Sequence, residues 1–272
     1  MMMNPELAGI LTLVFYAFIA LSIMVYQAVK LPDGWQAWIL FVIARVYAPV
    51  LWGVKRNRRC PFPGDSAAIV IANHRSPADP MILWYNSHLG NPQKKIRSIR
   101  FLMAREYYEL PGLIGWISRA MHAIPVDRNG QDVAPVREAL RQLKQGKLIG
   151  VFPEGGIQTG RPIAHANSGI AFLALRSQTP VYPVYINNSP SGKNMIEPFY
   201  SIAETSVVYG EPIDLSEYYG RRASREVLEE VTTLMMQRLA ELGETGYLGS
   251  ESTPEENADL IQIPAERYRS AN

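Results

Sequence analysis

The hydrophobic pattern divides the chain into an apolar N-terminal stretch and a longer part in which short apolar runs alternate with amphipathic stretches. Residues 7–29 are a run of 23 residues without a formal charge. As a helix the run would be about 34 Å long, enough for the roughly 30 Å hydrocarbon core of a bilayer. No basic region precedes it, which disfavours a secretory signal. The run predicts an N-terminal membrane helix, with a buried core helix as the alternative.

The next stretch, residues 35–52, is also apolar but contains Arg45 and Pro49, a pattern typical of an amphipathic helix in the membrane interface. A re-entrant hairpin with the first helix is the alternative. Four basic residues follow: Lys55, Arg56, Arg58 and Arg59. Near an anionic leaflet each is worth about 1 kcal/mol, and the excess indicates that the main domain faces the cytosol. A solvated basic linker is the alternative.

From residue 67 onward, brief runs rich in β-branched residues alternate with helical stretches, which predicts an α/β layer fold. The predicted strands are residues 67–72, 99–104, 123–126, 148–152, 181–186 and 206–209. Apolar residues at helical spacing predict one helix after Asp132, stopped by Gly146, and another from Ser224 to Gly243. Both helices are expected to be scaffold.

Composition removes several functions. A net charge of +2 in 272 residues gives no support for general nucleic-acid binding. The single cysteine, Cys60, excludes an internal disulfide, and the four scattered histidines lack metal-ligand spacing, so no metal is expected. Phosphate-binding, dinucleotide-binding and serine-hydrolase glycine motifs are also missing from the sequence.

The strongest candidate for chemistry is the pair His74 and Asp79, five positions apart, between a predicted strand and a predicted helix start. A neutral imidazole accepts a hydroxyl proton near pH 7, and a carboxylate fixes its tautomer and stabilises its charged form. Ligands gather at such strand ends in α/β sheets. The alternative is an ordinary loop histidine beside an aspartate that caps a helix.

Three further strands end in distinctive residues. One stops at Asp127-Arg128, where the arginine fork suits a phosphate, the alternative being a surface ion pair between the two. Another ends at Glu154, followed by Gly155 and Gly156, which allow a ligand to approach the backbone closely. The last, residues 181–184, offers no ionisable catalyst and is structural or lines an apolar chain.

In this order the four blocks resemble the PlsC-type glycerolipid acyltransferases, over about residues 60–215. The first family block, Asn-His-x-x-x-x-Asp, is met by Asn73, His74 and Asp79, and the arginine of the second by Arg128. The third and fourth blocks are met by these residues: Phe152, Pro153, Glu154, Gly155, Pro183 and Val184.

The resemblance implies a mixed, largely parallel sheet flanked by helices. It implies transfer of a fatty acyl group from acyl-CoA or an acyl carrier protein, used as co-substrate without further cofactor or metal, to a lysoglycerolipid. The favoured acceptor is 1-acylglycerol-3-phosphate, giving phosphatidic acid. His74 would be the general base, Asp79 would orient it, and helix-start amides would stabilise the oxyanion. The implied substrate-binding residues are Asn73, Arg128, Glu154, Gly155, Gly156 and Arg161.

The chain departs from the family pattern in ways that concern the acceptor. Gly156 and Ile157 replace the usual Thr-Arg, and Arg161 is the predicted substitute for the missing cation. His122 stands where the second block has glycine, and Ser168-Gly169 replaces a common Lys-Gly. Another lysolipid, an amine-bearing or sugar-bearing lipid, a non-catalytic lipid-binding protein and a thioesterase-like hydrolase therefore stay open.

The resulting division of the chain has four parts. Residues 1–30 form the membrane helix, 31–59 the interfacial helix and basic linker, 60–247 the acyltransferase domain, and 248–272 a mobile polar tail. The expected location is the cell membrane or an internal membrane, with membrane lipids as partners. A basic run is expected to meet phospholipid, coenzyme A or an acidic carrier, or else to be solvated: Lys94, Lys95, Arg97 and Arg100.

Overall fold

A computed structural model describes residues 4–90, 96–127, 133–158, 160, 162–163 and 166–249, without the side chains of residues 86–90. Within these ranges the chain forms one sheet of seven strands in the order β1-β7-β6-β2-β5-β3-β4. All neighbours are parallel except β6 and β7, which confirms the mixed, largely parallel sheet. The strands are β1 Lys55–Arg56, β2 Ala68–Ala72, β3 Ile99–Ala104, β4 Ile124–Val126, β5 Leu148–Val151, β6 Val181–Asn187 and β7 Ser206–Tyr209.

Helices cover both faces of the sheet. The described helices are α1 Pro5–Lys30, α2 Gly34–Leu51, α3 Asp79–Gly90, α4 Arg105–Tyr108, α5 Leu113–Ala120, α6 Ala134–Lys144, α7 Gly169–Ser177 and α8 Arg225–Leu242. One apolar core joins α2, α3 and α5 to the sheet, and a second joins α6, α7 and α8 to the opposite face. This two-sided cover is why the five residues of β2 are all buried.

The predicted helix limits of α6 and α8 agree with the structure. Gly146, just beyond α6, has φ +75°, a conformation that suits glycine. The Ser224 hydroxyl caps α8 by accepting the N–H of Val227 at 3.4 Å, and Gly243 follows the last helical residue. Beyond Gly249 the predicted polar tail lies outside the described residues.

Both N-terminal helices are long and apolar enough to cross a membrane, but they differ in burial. The most apolar window of α1 has a mean hydropathy of 2.4 and no buried residue, whereas that of α2 has 1.4 and is 33% buried. Ala44, Ala48 and Trp52 are fully buried in the core. Helix α2 packs against α3 and α5 and contributes these side chains to the same apolar core.

The predicted basic linker begins as part of the sheet. Lys55 and Arg56 form β1 and pair in parallel with Ser206 and Val207 of β7, leaving their side chains exposed at the sheet edge. The Arg58 guanidinium then donates to the backbone carbonyl of Tyr209 at 3.1 Å. Sequence patterns missed β1 because a two-residue charged edge strand has no apolar alternation.

The turn between α1 and α2 is tied to the domain through Asp33. Its carboxylate accepts the N–H of Ser98 at 2.9 Å and the Arg100 guanidinium at 3.0 Å, and the Lys147 ammonium lies 3.7 Å away. Arg97 donates to the backbone carbonyls of Pro63, Ser66 and Gly146. Arg97 and Arg100 are therefore structural rather than simply solvated, while Lys94 and Lys95 lie outside the described residues.

Candidate active site

The loop between β2 and α3 brings His74 and Asp79 into contact. His74 Nδ1 lies 3.0 Å from Asp79 Oδ2, and the same oxygen accepts the backbone N–H groups of Arg75 and Ser76 at 2.7 Å each. The Asp79 side chain is fully buried, whereas that of His74 is 16% exposed. The carboxylate turns back toward the loop instead of capping α3, so the helix-cap alternative loses its support.

This contact defines the state of the imidazole. A carboxylate that already accepts two N–H groups favours the tautomer in which His74 Nδ1 donates, which leaves the lone pair of Nε2 available. The Phe152 ring stacks on the imidazole, with centroids 4.0 Å apart and planes inclined by 15°. The ring of His74 is therefore held in place on one face and at one nitrogen.

A second aromatic ring extends this stack. Phe101 of β3 lies against Phe152 with centroids 5.1 Å apart. The space for Phe101 exists because position 150 of β5 is glycine: a Cβ there would lie 2.4 Å from the Phe101 ring. Three neighbouring strands thus contribute to the position of the histidine.

Glu154, which follows β5, is hydrogen-bonded to the same loop. Its Oε1 accepts the backbone N–H of His74 at 3.0 Å, and its two oxygens lie 3.1 and 3.0 Å from Arg75 Nη1. The Gln158 N–H donates to the His74 carbonyl at 2.9 Å. With its carboxylate fully buried, Glu154 is placed to orient the loop rather than to contact an acceptor directly.

Arg75 is the functional candidate that sequence reasoning missed. It follows the histidine directly, and its guanidinium also donates to the carbonyls of His74 and Pro162, at 3.2 and 3.3 Å. The signal available in the sequence was a cation beside one motif and an acid in another, whose pairing only the fold reveals.

Asn73 continues the pairing of β2 with β6. Its side-chain oxygen accepts the Ile186 N–H at 2.7 Å, and its amide donates to the Ile186 carbonyl at 2.9 Å. Asn73 is fully buried. This contact fixes the end of β2, so Asn73 supports the site without facing the open space beside it.

The glycine pair offers that open space. Gly155 has φ +72°, and a Cβ at Gly155 or Gly156 would meet no heavy atom of the described residues within 4 Å. A ligand therefore has room to approach the backbone here. The two predicted phosphate-binding cations, Arg128 and Arg161, lie outside the described residues.

Asp127 has another partner than the one expected. Its oxygens accept from Arg105 Nε at 2.6 Å and from Nη2 at 3.1 Å. Hydrogen bonding to Arg105 lowers the pKa of the Asp127 carboxyl below its usual value, despite some desolvation. Arg105 therefore already neutralises the charge of the Asp127 carboxylate, without an ion pair to Arg128.

His122 occupies a left-handed conformation with φ 56°, a region that favours glycine. Its Nε2 lies 2.7 Å from the Asp33 carbonyl oxygen, so the imidazole joins the contacts of the α1–α2 turn. The side chains of the other two histidines, His88 and His165, are not described.

The helix-start amides expected to bind an oxyanion are hydrogen-bonded within the fold: the Asp79 N–H donates to the Ser76 carbonyl at 3.1 Å, and the Met81 N–H donates to the Ala78 carbonyl at 3.0 Å. The N–H groups of Arg75 and Ser76 bind the Asp79 carboxylate, and the Ala78 N–H donates to Ser76 Oγ at 3.2 Å. Because these donors are satisfied within the loop, they are not available to a developing oxyanion.

The fold and the site define the class of the protein, an enzyme of the acyltransferase type, and comparisons with known proteins bear this out. The family model Acyltransferase matches residues 54–187. The 1-acyl-sn-glycerol-3-phosphate acyltransferase of Bacillus subtilis is 24% identical over 195 residues, which are 70% of this chain and 88% of that protein. The chain belongs to the glycerolipid acyltransferase family and is similar to its 1-acylglycerol-3-phosphate O-acyltransferases.

Two other similarities add detail. The N-acylphosphatidylethanolamine synthase of Arabidopsis thaliana is 29% identical over 168 residues, covering 56% of this chain and 57% of that protein. The crystal structure of the 1-acyl-sn-glycerophosphate acyltransferase PlsC from Thermotoga maritima has a TM-score of 0.56 and 19% identity, with 87% of this chain and 97% of that chain covered. The latter likeness shows the shared fold.

Proposed function

We propose that the protein is a membrane-bound acyltransferase that moves a fatty acyl group from an acyl thioester to the hydroxyl of a lysoglycerolipid. The observation that carries the mechanism is the 3.0 Å contact between His74 Nδ1 and the buried carboxylate of Asp79. It leaves Nε2 as the proton acceptor on the partly exposed side of a rigid loop. Such general-base assistance is typically worth about 10² to 10⁴ in rate.

The reaction needs no covalent enzyme intermediate. His74 Nε2 takes the proton of the acceptor hydroxyl while its oxygen attacks the thioester carbonyl carbon. The tetrahedral intermediate then collapses, the carbon–sulfur bond breaks, and the thiolate takes the proton from the imidazolium. Asp79 stabilises the transient imidazolium. In this proposal the Gly156 N–H donates to the oxyanion, since the amides of the His74 loop are occupied and the Gly155 N–H donates to the Phe152 carbonyl at 3.1 Å.

The favoured acceptor is 1-acylglycerol-3-phosphate, and the donor is acyl-CoA or an acyl carrier protein. The name of the Bacillus subtilis relative, similar over 88% of its length, supports this acceptor. Arg128 supplies the phosphate contact, with Arg161 in place of the cation that Ile157 lacks. Glu154 does not contact the acceptor in this proposal; it orients His74 and Arg75 through hydrogen bonds.

The membrane placement rests on the two apolar N-terminal helices. Helix α1 exposes its side chains all round, which suits a lipid environment. The exposed cations Lys55, Arg56 and Arg59 lie on the cytosolic side of the membrane in this proposal.

A second candidate function is transfer to the amine of phosphatidylethanolamine. It is favoured by the Arabidopsis thaliana relative named for N-acylphosphatidylethanolamine synthesis and by the change to Gly156 and Ile157 in the third motif. The chemistry differs only in the nucleophile, because His74 would take the proton from the attacking amine.

The test is a transfer assay on membranes that contain the full chain. Acyl-CoA or an acylated carrier protein is added with a panel of lysolipids and phosphatidylethanolamine, free thiol is measured, and products are identified by mass spectrometry. His74→Ala and Asp79→Asn should lose thiol release and product together by at least about 100-fold, at the low end of general-base effects. The matched control is His122→Asn, which removes another histidine and introduces a residue that also tolerates positive φ. This variant should keep transfer activity.

Each other outcome points elsewhere. Full activity in the His74 and Asp79 variants would refute the assigned mechanism. Thiol release without an acylated product would indicate a hydrolase. Lipid binding without acylation of any acceptor would indicate a non-catalytic protein.

A further inference from the structure

The loop between β6 and β7, residues 188–205, exposes large apolar side chains beside the candidate active site. Ile196 is 48% exposed, Tyr200 61% and Ile202 84%. Grouped exposed apolar residues commonly mark a surface that meets another molecule or a membrane. This loop has no role in the proposed chemistry.

The exposure is built into the structure. Trp52 Nε1 donates to the Pro198 carbonyl at 3.2 Å, and the Ala203 N–H donates to the Leu51 carbonyl at 2.8 Å. The Asn194 side-chain oxygen accepts the N–H groups of Ile196 and Glu197, both at 2.9 Å. The backbone of the loop is thus fixed against the end of α2 while its apolar side chains point to the outside.

The loop continues the apolar surface of the N-terminal helices. Val46 and Val50, one helical turn apart on α2, are 70% and 77% exposed, and Val50 precedes the Leu51 carbonyl that binds the loop. Helix α1 packs along α2 and is apolar on all sides. An apolar surface therefore leads from α1 over the end of α2 to Ile202.

The loop also lies at the edge of the sheet that carries His74. It leaves the carboxyl end of β6, which is parallel to β2, and Ile186 near that end is hydrogen-bonded to Asn73. A membrane in contact with the loop would therefore lie on the side of the domain where a lipid acceptor must enter.

We propose that Ile196, Tyr200 and Ile202 insert into the boundary between head groups and acyl chains, as a second membrane contact beside α1. The inference rests on the proposed membrane placement and deepens it, because it fixes which edge of the domain meets the bilayer. Insertion brings the His74 edge to the surface that holds the lysolipid. The loop acts as a positioning element and takes no part in the proton transfer.

The charges of the loop specify how it binds. Its charged residues are Lys193, Glu197 and Glu204, a net charge of −1. The Lys55 ammonium of β1 lies 3.5 Å from Glu204. Because the loop offers no excess of cations, its contact comes from apolar burial and should change little with salt or with the fraction of anionic lipid.

The test uses the full chain reconstituted in vesicles of phosphatidylcholine, phosphatidylethanolamine and phosphatidylglycerol. In a Cys60→Ala background, Ile202→Cys carries an environment-sensitive fluorophore. Lys144→Cys, exposed at the end of α6 that leads into the opposite end of the sheet, is the matched control. The label at position 202 should shift to the blue and be quenched by a spin-labelled lipid, in low and high salt alike, while the label at 144 should not. Equal spectra and equal quenching at the two positions would overturn the proposal.

A kinetic measurement separates this inference from the proposed function. Ile202→Glu should raise the KM for a lysolipid held in vesicles at least about threefold and leave turnover of the same lysolipid in detergent micelles unchanged. Micellar turnover that falls as much as the vesicle rate would contradict a membrane role. A wild-type chain that floats with vesicles but transfers no acyl group would refute the proposed function while the fluorescence result stands by itself.

Discussion

Glu154 holds the backbone of His74 through a 3.0 Å hydrogen bond from the His74 N–H to Oε1, and it does so with a carboxylate that is itself fully buried. The same carboxylate binds Arg75, so one acid at the end of β5 fixes two consecutive residues at the end of β2. Because both oxygens of this buried carboxylate are already hydrogen-bonded, Glu154 acts by holding His74 and Arg75 in place. Its removal should therefore affect kcat rather than substrate binding.

Glu154→Gln should lower kcat at least about tenfold and leave the KM of both substrates near their wild-type values. The glutamine side-chain oxygen can still accept the His74 N–H, but the neutral amide no longer forms an ion pair with Arg75. The loop can therefore shift. Steady-state kinetics with the acyl donor and the lysolipid varied in turn measure this. A raised KM for the phosphate-bearing acceptor at unchanged kcat would instead show that Glu154 contacts the acceptor.

Gly150→Ala tests the aromatic stack behind His74. The new methyl group would lie 2.4 Å from the Phe101 ring, and such overpacking typically costs about 1–3 kcal/mol. The displaced ring moves Phe152 and thereby the imidazole, so both stability and kcat should fall. Chemical denaturation and transfer assays measure the two effects.

The control for that change is a second substitution that restores space. Gly150→Ala combined with Phe101→Leu should recover much of the lost stability, since the smaller side chain vacates the position of the ring. Its activity should stay reduced because the stack with Phe152 is gone. Equal stability of the single and double variants would refute the steric explanation.

Sequence reasoning located the strands and the His–Asp pair because both are local signals. Buried β-branched runs mark β2, β5 and β6, and the motif spacing places His74 at a strand end. The partner of Glu154 could not be found in this way, since Arg75 lies 79 positions away and only strand order brings them together. The edge strand β1 was missed for a related reason: its residues are charged, and its identity depends on β7.

The fixing of the α1–α2 turn was likewise hidden from sequence. Asp33, Ser98 and Arg100 come from separate elements, and nothing local distinguishes Arg100 from the other cations of its run. The same holds for α2, whose Arg45 and Pro49 suggested an interfacial helix while its alanines pack into the core. Burial on one face is a tertiary property that composition alone does not report.

Asp33→Ala should destabilise the domain by about 3–5 kcal/mol, the usual cost of removing one partner of a buried ion pair. Burial raises the pKa of the Asp33 carboxyl, but the Ser98 N–H, Arg100 and Lys147 together lower it further, so the net pKa lies below its usual value. The carboxylate therefore contributes stability above about pH 4, and this contribution is lost as the pH falls through the lowered pKa. Thermal unfolding between pH 3 and 7 should show a shallower pH dependence in the variant.

The matched control is the double variant Asp33→Ala/Arg100→Met. The double variant removes both charges, so the Arg100 guanidinium is not left buried without its carboxylate. Its loss of stability should therefore be smaller than the sum of the losses in the two single variants. Strict additivity would show that the 3.0 Å contact contributes nothing.

Cys60 should be unreactive in the folded protein. Its side chain is buried, and burial raises the pKa of the thiol to about 12, so almost no thiolate exists at pH 8. A thiol reagent should label it within minutes in denaturant and far more slowly in the folded state. The exposed Lys144→Cys substitution in the Cys60→Ala background is the positive control, and equal rates at positions 60 and 144 would contradict the burial of Cys60.

We expect the choice of acceptor to depend on Gly156 and Ile157, the two positions at which the third motif departs from the family pattern. Gly156 has open space at the position of a Cβ and no positive φ, so Gly156→Thr with Ile157→Arg can be introduced without backbone strain. The added guanidinium should lower the KM for 1-acylglycerol-3-phosphate severalfold and leave that for the phosphate-free 1-acylglycerol unchanged, because the arginine fork binds phosphate. Arg128→Ala should do the opposite and raise the KM for the phosphate-bearing lipid far more than that for the thioester. If both acceptors respond equally to Arg128→Ala, the phosphate contact lies elsewhere, and Arg161→Ala is the variant that should then show the selective loss.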